Sequence, residues 1–169
     1  MDLNELAMKY YHASLALAQK ALLAGLTVAA VAYLVAITGE KKESYLIPLI
    51  EIEVASLNYF SISLLILFFA CGIACSYGIS KALDNWELVT DKNLAFRLLH
   101  IPSLFMIGIL ADSALYGFIF TVGASLSDAM FGFSDWKSFV FGWMVTLPYL
   151  IAFRLSSDLR QLKKEDNNS

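Results

Sequence analysis

Long apolar runs separated by short charged stretches dominate the pattern of hydrophobic and polar positions along this chain. A helix needs about twenty mainly apolar residues to cross the roughly 30 Å hydrocarbon layer of a bilayer. Four runs approach or exceed this length, at residues 18–38, 57–79, 98–124 and 138–153. Lipid offers no water to exposed backbone groups, so such runs are expected to be helices. The pattern therefore predicts an all-α membrane protein built as a bundle of four transmembrane helices.

The polar stretches next to these runs also carry structural signals. Residues 3–19 contain no Gly or Pro, so we expect the first span to begin as a helix before it enters the bilayer. Leucines continue a helical stripe into the tail, residues 154–169. Apolar and acidic residues alternate over residues 50–54, which predicts a short extended piece. Residues 1–169 are thus predicted to form one membrane domain with N- and C-terminal cytoplasmic helix extensions.

Composition agrees with lipid as the main surroundings. Of the 169 residues, 59% are hydrophobic and only 16% are charged, which is too apolar for a water-soluble domain of this size. The net charge is -3, whereas binding to phosphate backbones requires a dense patch of Lys and Arg. We therefore expect the lipid bilayer as the surrounding partner, and no nucleic acid.

The distribution of basic residues predicts the direction of the spans. Lys and Arg accumulate in the cytoplasmic flanks of transmembrane helices. One side of the predicted bundle carries nine of them: Lys9, Lys20, Lys81, Lys92, Arg97, Arg154, Arg160, Lys163 and Lys164. The other side carries three: Lys41, Lys42 and Lys137. Both termini are therefore predicted in the cytoplasm, with the chain integral to the plasma or inner membrane.

Asp112 is the most informative single residue, because it falls near the middle of the third apolar run. A carboxylate in the membrane is costly and is taken by default as functional. No Lys, Arg or His lies at matching depth in any predicted span, so we expect Asp112 to face the bundle or an oligomer interface in its protonated form. It is either a proton or cation site on a pathway, or a structural hydrogen-bond partner of a hydroxyl such as Ser113, Tyr116, Thr27 or Tyr33.

Small residues recur at intervals of four in the first three spans. In lipid, such faces allow helix backbones to approach closely. Three small faces are one more than a single bundle of four helices requires, so a homo-oligomer is expected. The residues predicted for helix packing or oligomer contact are Gly25, Ala29, Ala70, Ala74, Gly78 and Gly117.

The chain offers no combination of residues that predicts catalysis. It contains neither a second buried Asp in the spans, nor a buried Ser with a His partner, nor a nucleotide-binding Gly-rich loop. Cys71 and Cys75 are predicted to pack, because a closed zinc site requires four ligands. We therefore expect no enzyme, no metal and no cofactor.

The architecture favours a non-catalytic polytopic membrane subunit that self-associates and anchors or signals to a cytosolic partner. Small four-span subunits of bacterial antiphage systems and bacteriocin immunity proteins share this outline, so a membrane sensor or effector of a defence or immunity system is one candidate. The alternative is a small ion channel or proton-coupled transporter that uses Asp112. The residues predicted to form the cytoplasmic partner surface are Lys81, Trp86, Arg97, Leu155, Leu159 and Leu162.

Overall fold

The computed structural model contains five α-helices among the residues that it describes, and most of those residues are helical. It describes residues 3–38, 45–47, 52–54, 57–101, 103–106, 108–131 and 136–166. The elements, in chain order, are α1 (Leu3–Thr38), β1 (Tyr45–Ile47), β2 (Ile52–Val54), α2 (Leu57–Glu87), α3 (Lys92–Leu99), a 3₁₀ turn (Leu104–Met106), α4 (Ile109–Phe131) and α5 (Trp136–Asp166). Within the described residues, three helical stretches are long and apolar enough to cross a membrane: Leu3–Leu34, Tyr59–Glu87 and Trp136–Lys163.

The long helices pack side by side in an order that differs from their order in the chain. α1 packs chiefly against α2, and α2 also contacts α5. α5 packs in turn against α4, and α4 touches α1. We call one end of this assembly the base. At the base, α1 and α4 begin, and α2 and α5 end. The part of the helices above the base is called the spanning part.

Tyr149 of α5 lies at the centre of the spanning part and is fully buried. Its hydroxyl donates a hydrogen bond of 2.8 Å to the carbonyl oxygen of Phe68 in α2. A Cβ atom added to Gly25 in α1 would overlap that hydroxyl, and one added to Gly72 in α2 would come within 2.8 Å of the ring. The two glycines therefore leave the space into which this single ring inserts between three helices.

Two further close approaches occur where backbone meets backbone. A Cβ on Gly142 of α5 would lie 2.8 Å from the backbone of Ala124 in α4. A Cβ on Gly78 of α2 would lie 2.9 Å from the carbonyl oxygen of Ser14 and the backbone nitrogen of Ala18 in α1. Dispersion contacts between closely spaced backbones are the main attraction that helices have in lipid.

Two of the extensions expected around the spans are present. α1 begins at Leu3 and continues without a break through the first predicted span, and α5 continues past residue 153 to Asp166. At 1.5 Å per residue, the 36 residues of α1 extend over about 54 Å. The extended piece expected near residue 52 is confirmed for β2, which pairs antiparallel with β1 in the register Ile47 to Ile52.

The expected course of the third apolar run, residues 98–124, is wrong at its start. α3 ends at Leu99, the 3₁₀ turn follows, and α4 begins only at Ile109 and runs on to Phe131. The apolar residues before Ile109 do not form one helix with α4, and Leu99 and Phe105 among them are fully buried in the core of the base. Hydrophobicity alone does not distinguish these residues from a membrane-spanning helix.

Candidate functional site

Among the residues that the structure describes, a largely buried ion pair joins α4 to α5. Asp112 lies in the first turn of α4, where its backbone N–H donates to the carbonyl oxygen of Gly108 at 3.1 Å. Its Oδ2 accepts a hydrogen bond from Nη1 of Arg160 on α5. The side chains are 8% and 13% exposed respectively, so both charges are largely removed from the surroundings. A negative charge in the first turn also interacts favourably with the helix dipole.

Arg160 corrects the sequence-based interpretation of Asp112. The expectation that Asp112 faces the interior is confirmed, since the residue is buried. The expectation that no basic residue lies at its depth is wrong, because α5 continues as a helix beyond the fourth predicted span and carries Arg160 to α4. Asp112 also lies near the start of its helix, not near the middle as the predicted span implied.

The hydroxyl groups expected as partners of Asp112 bond or point elsewhere. Tyr116 lies with its hydroxyl 3.4 Å from Oγ1 of Thr146 on α5. The Thr27 hydroxyl donates to the carbonyl oxygen of Leu23 in its own helix. Ser113 and Tyr33 are exposed on the outside of the assembly. In the structure, the partner of Asp112 is therefore the charged side chain of Arg160 and not one of these hydroxyl groups.

Arg160 makes a second hydrogen bond, and this bond reaches the 3₁₀ turn. The same Nη1 donates to the carbonyl oxygen of Phe105 at 3.2 Å. The Phe105 side chain is fully buried, and its ring packs 5.9 Å from the ring of Phe153 on α5. Within the described parts of the chain, Oδ1 of Asp112 has no hydrogen-bond partner although it is buried. One guanidinium group thus joins the 3₁₀ turn and α4 to α5.

Among the described residues, three further hydrogen bonds in the base join different segments of the chain. Oδ1 of Asn4 in α1 accepts hydrogen bonds from the backbone N–H and the hydroxyl of Thr90, at 3.0 and 3.1 Å. The indole N–H of Trp86 at the end of α2 donates to the carbonyl oxygen of Ala95 in α3 at 2.9 Å. These bonds tie the start of α1 to the connection between α2 and α3, and α3 to the end of α2.

The predicted partner surface divides into buried and exposed residues. Leu159 is fully buried, and Leu155 and Leu162 pack partly against the core, because the leucine stripe faces the other helices of the chain. Leu159 is therefore not available as surface, which corrects its predicted role. Lys81 and Arg97 are exposed, and Lys81 forms a surface ion pair with Asp84 at 2.9 Å.

Trp86 borders a cleft at the base. The cleft has a volume of about 330 Å³ and is lined by Trp86, Glu87, Val89, Ala95 and Phe96. Since the indole N–H is already bonded to Ala95, the Trp86 side chain offers this cleft mainly its apolar ring. The Trp86 side chain therefore bonds α2 to α3 within the chain and also lines an open cleft.

The residues of the predicted small-residue faces differ in how far they are exposed. Gly25, Ala29 and Gly78 are buried in contacts within the chain. Ala70 is exposed and Ala74 is half-buried. Gly117 is exposed, and a Cβ added to it would meet nothing within 4 Å.

Sequence reasoning missed three of the closest approaches. They involve Gly72, Gly123 and Gly142. Gly123 and Gly142 meet across α4 and α5, whereas Gly72 accommodates the ring of Tyr149. At a spacing of four, Gly142 has Ser138 and Thr146 as neighbours, so the small-residue pattern was present there as well. The other signal is a glycine inside an apolar helix, where glycine otherwise lowers helix stability.

The residues described here include no group of three or more His, Cys, Asp or Glu side chains arranged to hold a metal ion. Cys71 is half-buried and Cys75 is buried, and both are free thiols on one face of α2. Comparison of the chain with known proteins finds no protein family, no curated protein and no solved structure that matches it.

Proposed function

We propose that this chain is a non-catalytic membrane subunit with four transmembrane helices and both termini in the cytoplasm. In this proposal its base holds or signals to a cytosolic partner. α4 supplies the fourth span: its 23 residues extend over about 34 Å, enough for a hydrocarbon layer of roughly 30 Å. The excess of Lys and Arg on the side of the base supports the cytoplasmic placement of the termini.

The observation that carries the proposal is the folded layer at the base. Segments of the base are joined there by Asn4 with Thr90, by Trp86 with Ala95, and by Arg160 with Phe105. A surface that is ordered before binding loses less conformational entropy when a partner docks. The exposed Arg97 and the cleft beside Trp86 offer such a partner polar and apolar contacts on the same layer.

The ion pair makes a channel the weaker candidate. A cation pathway requires a carboxylate whose charge is available to the passing ion. The charge of Asp112 is matched by Arg160, and the large rings of Phe68 and Tyr149 fill the centre of the spanning part. Self-association remains part of the proposal, and the exposed small-residue face of α4 around Gly117 is the surface that supports it.

Crosslinking tests the proposed partner. A photoreactive amino acid at Arg97, exposed on α3, is expected to capture a cytosolic protein in the native host. The matched control position is Trp136, which is exposed at the opposite end of the assembly. Capture of the same soluble protein from both positions, or from neither, would contradict a partner that docks at the base.

Reconstitution into liposomes tests the alternative. The purified wild-type protein is expected to conduct neither protons nor monovalent cations. A flux that is present in the wild type and abolished by Asp112→Asn would overturn the subunit proposal in favour of a channel or transporter.

A further inference from the structure

Three segments of the chain meet at one side chain, and two of them are consecutive in the sequence. Arg160 of α5 bonds to the carbonyl oxygen of Phe105 in the 3₁₀ turn and to the carboxylate of Asp112 in α4. A guanidinium group has several N–H donors in a fixed planar arrangement, so it can hold two acceptors at once. The geometry therefore fixes two consecutive segments to α5 through one residue.

The two segments that Arg160 holds are connected through Gly108. This glycine has a φ of +140°, a backbone conformation that residues with a side chain rarely adopt, and a Cβ added there would meet nothing within 4 Å. Its carbonyl oxygen accepts the backbone N–H of Asp112, which starts the hydrogen-bonding pattern of α4. Gly108 is thus a point at which the chain can change direction without displacing neighbouring side chains.

The energetics of the pair suit a contact that can open. Removing two charges from water is costly, and their attraction offsets that cost only when the remaining polar atoms also find partners. Oδ1 of Asp112 is buried and has no partner within the described residues, so this compensation is incomplete. The net stabilisation is therefore small, whereas removing only one partner leaves an uncompensated charge in the base.

We propose that Arg160 is a releasable clamp. While it is bound, it keeps the segment 103–106 and the first turn of α4 closed against α5. When it is released, this segment opens at Gly108 and the spanning part stays folded. A partner that draws the end of α5 away from the base would thereby act on α4. This last step rests on the proposed function, whereas the clamp itself does not.

Thiol labelling measures the opening directly. Ser103 is buried, and its hydroxyl accepts the backbone N–H of Phe105, so Ser103→Cys places a probe inside the clamped segment. The full-length protein is purified in detergent micelles and treated with N-ethylmaleimide. Labelling of position 103 and of the native Cys75 is followed separately by mass spectrometry of the peptides. Cys75 is buried in the spanning part and reports on global unfolding.

Release of the clamp is expected to accelerate labelling at position 103 at least tenfold in Arg160→Gln and in Asp112→Asn, with Cys75 still protected. The matched control is Arg154→Gln, which removes the same charge from an exposed position on the same helix and is expected to label like the parent.

Two results would overturn the proposal. In one, labelling at position 103 does not change in either variant. In the other, positions 103 and 75 become reactive together, so that the pair stabilises the whole molecule without controlling a separate segment. Neither result depends on a partner. Failure of the clamp is therefore distinguishable from failure of the crosslinking test of the proposed function.

Discussion

The spanning part and the base are held together by different kinds of contact. In the spanning part, helices meet through glycines and one inserted tyrosine ring, with Tyr149 contacting Gly25 and Gly72. In the base, the 3₁₀ turn and the short helix α3 are fixed by hydrogen bonds to their backbone, from Arg160 to Phe105 and from Trp86 to Ala95. Association of helices in lipid relies on close packing, whereas buried backbone groups outside regular helices require polar partners from the protein.

Replacement of Gly142 by Ala is expected to have the largest effect, because the contact there is between backbones. The new methyl group would lie 2.8 Å from the backbone of Ala124, and neither partner can move without separating α4 from α5. We expect a loss of about 3 kcal/mol, at the upper end of the usual cost of overpacking. The measurement is the free energy of unfolding from SDS titration in mixed micelles.

The matched control for this substitution is Gly117→Ala in α4. An added methyl group there would meet nothing within 4 Å, and alanine is the better helix former. The control is expected to be neutral or slightly stabilising. Equal losses at the two positions would show that the helices do not approach closely at Gly142.

Gly25→Ala is expected to cost about 2 kcal/mol, because the new methyl group overlaps the Tyr149 hydroxyl, which is held in place by its bond to Phe68. Tyr149→Phe alone is expected to cost about 1 kcal/mol through the lost hydrogen bond. In the double variant the nearest ring atom is Cζ, which would lie 2.9 Å from the new methyl group. The combined loss should therefore be smaller than the sum of the two single losses.

A double-mutant cycle on the unfolding free energies measures how far the loss in the double variant falls below the sum of the two single losses. A second double variant, Gly117→Ala with Tyr149→Phe, provides the additive reference, because a methyl group at Gly117 meets nothing within 4 Å. Strict additivity for Gly25 and Tyr149 would contradict the insertion of the ring against α1.

The sequence predicts the regular part of this fold better than its irregular part. Apolar runs and the lack of Gly or Pro before residue 20 predicted α1, α2 and α5, since these signals are local. The break before Ile109 was missed, because residues such as Leu99 and Phe105 are apolar for packing in the base. Asp112 was identified correctly as a buried polar site, while its partner was missed because Arg160 lies 48 residues away in a segment read as tail. Pairings of this kind depend on tertiary structure and leave no pattern along the chain.

The smallest effect is expected at the base, when both members of the ion pair are neutralised together. Asp112→Asn or Arg160→Gln alone leaves one buried charge without its partner, which destabilises the protein. The double variant removes both charges and with them the cost of keeping them from water, so its unfolding free energy should lie within about 1 kcal/mol of the wild type. The same SDS titration measures it, with Arg154→Gln combined with Asp112→Asn as the control that removes two charges but leaves Arg160 unpaired. If the double variant were less stable than either single variant, the pair would be a strong net stabiliser, and the base would be held as firmly by charge as the spanning part is by close packing.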